Sequence, residues 1–297
     1  MNDCFVTTID LKLADKLRED LLSQGFTLST PPYTLFAAKK PGVSCTLYES
    51  GKLTVQGKNR EEFLSFYLEP EILQSLEFTH PEIALDLTPR IGVDEAGKGD
   101  FFGPLCIAAL YASEQGVKQL LSLGVRDSKK LGDKTVLSLA SKIRPLFPHS
   151  IVRLFPSKYN ELYARFGNLN RLLAWGHATA IEELVERSGC HTIIIDQFGA
   201  ESLVETALKQ KKLSVNLTQR HHGEADLVVA GASILARAAF LQGLEELGKN
   251  QGVELPKGAS KQVVEAGRRL VANHGEGILQ NVAKVHFKTY QECLESF

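Results

Sequence analysis

The chain has 297 residues, 43% hydrophobic and 23% charged, with 24 Gly and 11 Pro, a size and composition that suit one large or two ordinary packed domains and exclude disorder. Its formal net charge of −1 excludes a whole-protein basic field, so a polyanionic partner would have to be met by local patches. Five scattered cysteines without a CxxC pair, no basic leader before an apolar stretch and no run of about 18 apolar residues exclude a disulfide framework, a zinc site, a signal peptide and a membrane span, and point to the cytoplasm.

Leu11, Ala14, Leu17, Leu21 and Leu22 fall at helical spacing, and Gly25 is the stop. The period then changes to two. Val43, Cys45 and Leu47 alternate with Ser44, Thr46 and Tyr48; after a turn at Ser50–Gly51, Leu53 and Val55 alternate with Lys52, Thr54, Gln56 and Lys58. This predicts a hairpin with one apolar and one polar face. A second helix follows, with Phe63, Phe66 and Tyr67 on one side. Residues 27–60 carry Lys39, Lys40, Lys52, Lys58 and Arg60 against the single acid Glu49. A sheet face of Lys, Thr, Gln and Tyr suits a nucleic-acid platform as well as plain solvation.

Pro70, Pro81 and Pro89 punctuate a weakly periodic stretch, read as a linker at 76–87 between domains at 1–75 and 88–297. Beyond it the pattern is α/β. Strands are expected at Ile91–Asp94, Pro104–Ala112, Ser150–Phe155, His191–Asp196 and Leu213–Thr218. Helices are expected over Asn168–Arg187, 200–212 and Ala225–Gly248, with two more at the end.

The chemistry gathers at Ile91-Gly92-Val93-Asp94-Glu95-Ala96-Gly97-Lys98-Gly99-Asp100. An apolar strand delivers two adjacent carboxylates, which repel unless a cation sits between them. Ile193-Ile194-Ile195-Asp196 also ends an apolar strand in an acid. If these strands are parallel neighbours, Asp94 and Asp196 meet at one sheet edge and build an oxygen site for Mg²⁺ or Mn²⁺ rather than zinc. Gly92–Lys98 also fits the start of a phosphate-binding loop, but Gly99 stands where Ser or Thr belongs and two acids occupy the loop. A nucleotide cofactor is excluded on that ground.

The stretch G-V-D-E-A-G-K-G-D-F-F-G-P, then Asp127-Ser128-Lys129-Lys130-Leu131 and Ala232-Ser233-Ile234-Leu235-Ala236-Arg237, resembles the type 2 ribonucleases H. Gly97-Lys98-Gly99, the segment Phe166–His177 and the extra N-terminal domain resemble the bacterial HIII branch. The resemblance implies a ribonuclease H-like mixed sheet with flanking helices, and a small N-terminal α+β domain like the TATA-binding-protein fold that grips the hybrid. It implies cleavage of the RNA strand of RNA–DNA hybrids by two Mg²⁺ or Mn²⁺ ions, held by Asp94, Glu95, Asp196 and a fourth acid. Glu224 is preferred for the fourth, with Asp226 competing. Gly97, Lys98 and Gly99 would read the 2′-hydroxyl, and Ser128, Lys129 and Lys130 suit phosphates. Asn168 reads as a helix cap, and Asn170 is open between a cap and the hybrid groove. Tyr33, Lys39, Lys40, Tyr48, Lys52 and Lys58 are the N-terminal binding candidates. His221 and His222 read as ordinary loop histidines, Trp175 as core, and the molecule as a monomer.

Two other readings compete. A resolvase-like nuclease of the same superfamily would cut DNA and would not need the Gly-Lys-Gly turn. A non-catalytic hybrid-binding module would not need the four acids together.

Overall fold

A computed structural model describes residues 4–73, 85–125, 128, 131–220 and 223–295, without the side chains of Glu201 and Glu224. The chain divides into two compact units, Met1–Asp86 and Leu87–Phe297. Most of the expected linker, 76–84, lies outside the described residues.

The first unit is a five-stranded antiparallel sheet of order β1-β5-β4-β3-β2. Its strands are β1 (Cys4–Thr8), β2 (Thr27–Ser29), β3 (Thr34–Lys40), β4 (Val43–Tyr48) and β5 (Lys52–Gln56). The predicted hairpin is β4–β5, with Cys45 opposite Val55 and Leu47 opposite Leu53. Those four residues are buried with Leu17 and Leu21 of helix α1 (Ala14–Ser23). The second helix, α2, starts at Arg60–Phe63 and widens into π turns over Leu64–Leu73. Phe63 and Tyr67 are buried as expected, but Phe66 is 80% exposed. The wider turn rotates it away from the face that ordinary helical spacing gives it.

The second unit is built on a mixed sheet of order β10-β9-β6-β7-β8. Its strands are β6 (Arg90–Ala96), β7 (Leu105–Ala112), β8 (His149–Leu154), β9 (Thr192–Asp196) and β10 (Asn216–Arg220). Between β7 and β8 run α3 (Glu114–Ser122) and α4 (Asp133–Leu146), which the sequence reading left unassigned, as it did α5 (Pro156–Phe166). Then come α6 (Leu169–Ser188), α7 (Glu201–Gln210), α8 (Leu227–Gln251), α9 (Lys261–His274), α10 (Leu279–Val282) and α11 (Lys288–Leu294). Strand β10 starts three residues later than predicted. Lys212 at φ 56° and the bond from Leu213 N to Leu208 O keep Leu213 in the turn that leaves α7. Leu213 and Val215 are apolar because they pack on the core, without pairing there.

Helices α6 and α8 lie on the sheet. Ile91, Val93, Ile107, Ile193 and Ile195 pack with Leu172, Leu173 and Ile181 of α6. By length and composition α8 could cross a membrane, yet 78% of its most apolar window is buried inside the protein. Its start is fixed by Asp226, whose Oδ1 accepts from the amides of Val228 (2.8 Å) and Val229 (3.2 Å). The other oxygen accepts from Arg90 Nε at 2.8 Å, in an ion pair whose side chains are only 3% and 4% exposed. Removing one partner of a buried pair strands the other charge. Asp226→Ala is therefore expected to lower unfolding free energy by about 3–5 kcal/mol, read by urea denaturation.

Candidate active site

The site begins with strand register. Strands β6 and β9 are parallel, with Ile91, Gly92 and Val93 opposite Ile193, Ile194 and Ile195. One step further along, Asp94 comes beside Asp196. Residues alternate between faces of a strand, so both aspartates take the α8 side while Glu95 turns to the α6 side. Gly92 lets β6 and α8 approach closely: a Cβ there would lie 2.4 Å from Val228 C and Val229 N.

Each acid has its own support. Asp94 is 7% exposed and accepts from the Glu95 amide at 2.7 Å, with the Ser233 hydroxyl of α8 close enough to favour its ionised form. Asp196 Oδ1 accepts from the Gly223 amide at 2.9 Å. Glu95 Oε2 lies 3.1 Å from His177 Nε2 on α6, and Oε1 lies 3.7 Å from Lys98 Nζ. Burial, with the Glu95 and Asp196 charges, pushes the Asp94 carboxyl up to about 7. Burial also raises Glu95, but His177 and Lys98 outweigh it and hold that carboxyl below its ordinary value. In this pair, Asp94 therefore keeps a proton longer than Glu95 does.

The acids open onto a cleft of about 500 Å³ whose rim includes Gly97, Lys98 and Gly99. Gly97 sits at φ 87°, and a Cβ there would lie 2.3 Å from Pro104 O; Gly99 faces open space. The loop after this turn is held from behind by Lys284, whose buried Nζ donates to Asp100 O (2.8 Å) and Gly103 O (2.7 Å). Burial pulls that ammonium down to about 7.

Ser128 also lines the cleft, but its hydroxyl is shared with Ser233 at 2.8 Å and its carbonyl accepts from Arg237. Asp127, Lys129, Lys130, His221 and His222 lie outside the described residues. Asn168 caps α6 through the amides of Asn170 (2.8 Å) and Arg171 (3.3 Å). Asn170 lies against Gly199 in the loop after β9 and is not part of the cleft lining. Trp175 is partly buried against the core beside Phe166. Glu224 lies in the 3₁₀ turn Gly223–Ala225 before α8, and its side chain is not among those described.

His177, Ser233 and Arg237 were not picked as site residues. Ser233 and Arg237 had a visible signal: two polar residues four apart in an apolar helix share one face. His177 had none, because one histidine on a buried helix is ordinary core.

In the N-terminal unit the candidates occupy two ends of the sheet. Lys39, Lys40 and Lys58 surround the Gly42–Gly57 approach at one end. At the other, Tyr48 ends β4 and Lys52 begins β5, near Tyr33, which is 81% exposed at φ 63°. Lys40 is partly committed, with Nζ 4.6 Å from the centre of the buried Phe26 ring.

The donor set suits a hard divalent cation: among the described residues the titratable donors lining the cleft include four carboxylates, Asp94, Glu95, Asp100 and Asp196, and neither thiol nor imidazole. Among the described residues no three metal-binding side chains converge into a cage. The raised Asp94, buried beside the Glu95 and Asp196 charges, marks the place that a cation would relieve.

The chain is similar to known proteins over its whole length. The ribonuclease HII family pattern matches residues 91–290, and a domain of unknown function (DUF3378) matches residues 4–77. A ribonuclease HIII of Protochlamydia amoebophila is 57% identical over 98% of this chain and 96% of its own. That of Chlamydia felis is 49% identical over 100% and 99%. The crystal structure of Bst-RNase HIII in complex with Mn²⁺ is similar at TM-score 0.70 and 31% identity, covering 98% of each chain. Aquifex aeolicus RNase H3 is similar at TM-score 0.58 and 31% identity, covering 96% of this chain and 100% of that one. A chain with this sheet, these strand-end acids and these full-length relatives belongs to the ribonuclease HIII family.

Proposed function

We propose that the protein is an endoribonuclease that hydrolyses the RNA strand of RNA–DNA hybrids, leaving 3′-hydroxyl and 5′-phosphate ends, with Asp94, Glu95, Asp196 and Glu224 holding two Mg²⁺ or Mn²⁺ ions. The observation that carries it is the parallel register that sets Asp94 beside Asp196, with Glu95 next in the chain. When bound, such ions supply Lewis acidity that lowers the pKa of water and offsets charge at the departing 3′ oxygen. The protein's part is to keep the carboxylates aimed. Ser233 holds Asp94, the Gly223 amide holds Asp196, and His177 holds Glu95. Asp226 is fully engaged by Arg90 and the α8 cap, which supports Glu224 as the fourth acid.

The open face of Gly99 and the backbone of Gly97–Lys98 supply the groups that read a 2′-hydroxyl, as RNA selection requires. Lys129 and Lys130 are assigned to phosphate contacts on residue type, with Ser128 at the cleft wall and Asn170 outside its lining as the secondary candidates. Tyr33, Lys39, Lys40, Tyr48, Lys52 and Lys58 grip backbone phosphates without sequence choice. On this reading the enzyme works as a cytoplasmic monomer, in keeping with its five free thiols.

End-labelled RNA–DNA, DNA–DNA and RNA–RNA duplexes with Mg²⁺ or EDTA test the function. Cutting is expected only in the RNA strand of the hybrid, only with metal, and to fall by at least about a thousandfold in Asp94→Asn. Cutting of DNA–DNA would overturn the reading. Because the Asp94 carboxyl is raised to about 7, a proton competes with metal below that pH. Mn²⁺ affinity should therefore fall by roughly tenfold per unit as pH drops below about 7, and calorimetry should find that slope absent in Asp94→Asn. Deleting residues 1–75 is expected to weaken hybrid binding by about an order of magnitude or more while Mn²⁺ affinity holds, as filter binding and calorimetry would show.

A further inference from the structure

His177 is fully buried on α6 and touches the site through one atom. Its Nε2 lies 3.1 Å from Glu95 Oε2, its ring centre is 4.7 Å from that of Phe198, and its buried Nδ1 has no hydrogen-bond partner among the described residues. An ionised carboxylate only accepts, so the ring proton belongs on Nε2 and Nδ1 is left as the unprotonated nitrogen. A buried nitrogen without a partner is destabilising, and an apolar side chain would avoid it. What the imidazole gains at this place is the bond to Glu95.

The two oxygens of Glu95 have different neighbours. Oε2 turns inward to His177, whereas Oε1 faces Lys98, which lines the cleft while His177 does not. Lys98 is 39% exposed on a flexible stem, too mobile to fix a carboxylate with three rotatable bonds of its own. We propose that His177 is a positioning residue: it donates Nε2–H to Oε2 of Glu95 and so presents Oε1 to a divalent cation. This rests on the reading of Glu95 as a metal ligand. His177 is fully buried and does not line the cleft, which separates it from any role as a ligand or as a proton donor to substrate. The pleat of β6 creates the need. Asp94 has its neighbours on the α8 side, and Glu95, on the opposite face, has His177 as its one fully buried side-chain donor among the described residues.

The test is Mn²⁺ binding to the full-length protein by calorimetry, with thermal melting and steady-state kinetics on a hybrid, for wild type, Glu95→Gln, His177→Gln, His177→Asn and His177→Leu. Glutamine carries an amide donor at about the reach of Nε2; asparagine has the same chemistry one methylene short. His177→Asn and His177→Leu are expected to weaken Mn²⁺ binding by about tenfold or more and to lower kcat with KM for the hybrid unchanged, while His177→Gln stays within about threefold of wild type. Wild-type Mn²⁺ affinity in the Asn or Leu variant overturns the proposal. So does a Gln variant as impaired as Asn at equal melting temperature. If His177→Leu fails to fold, the Gln–Asn pair decides. Loss of binding in Glu95→Gln with none in the His177 variants removes the positioning role alone, whereas no loss in Glu95→Gln removes the ligand assignment beneath it.

Discussion

The parallel pairing of β6 with β9 is the constraint on which the second unit depends. A parallel pair needs a crossover, and the α6 layer that covers one face of the sheet lies within it. Both strands are thereby buried on two sides, and each can carry an acid only at its end. Register then does the rest, bringing Asp94 and Asp196, far apart in the chain, to adjacent positions. The same pleat divides the tandem acids of β6 between the two helical layers, so each layer supplies one support.

That arrangement explains why so much of the catalytic unit was legible. Strands buried on both faces read as apolar runs such as Ile193–Ile195, and an acid directly after such a run stands out. The parallel pairing was a condition in the sequence reading; the sheet supplies it. Residue type favoured Glu224, but spacing alone left Asp226 in competition. Its engagement became visible only when Arg90, far away in sequence, was brought to 2.8 Å.

The unread parts have physical reasons too. Helices α3 to α5 lie in a stretch of mixed polarity, where local pattern is weak and tertiary packing decides. Phe66 followed the ordinary helical period until the chain widened into π turns. Lys40 counted as a surface cation, yet its stem and charge lie over a buried ring. His177 was unreadable for a different reason: its partner lies on another element, and nothing within α6 announces it.

Gly92 carries a consequence beyond its own position. With backbone atoms of α8 only 2.4 Å from where its Cβ would stand, the gap between strand and helix is set by the thickness of one hydrogen atom. Ser233, about one turn beyond that contact on α8, is registered to Asp94 by that gap. A single methyl group at residue 92 would act as a shim, tilting α8 and drawing the hydroxyl away from the carboxylate it steadies. The tolerance of the site is thus dimensioned two residues upstream of its first acid, where no chemistry takes place.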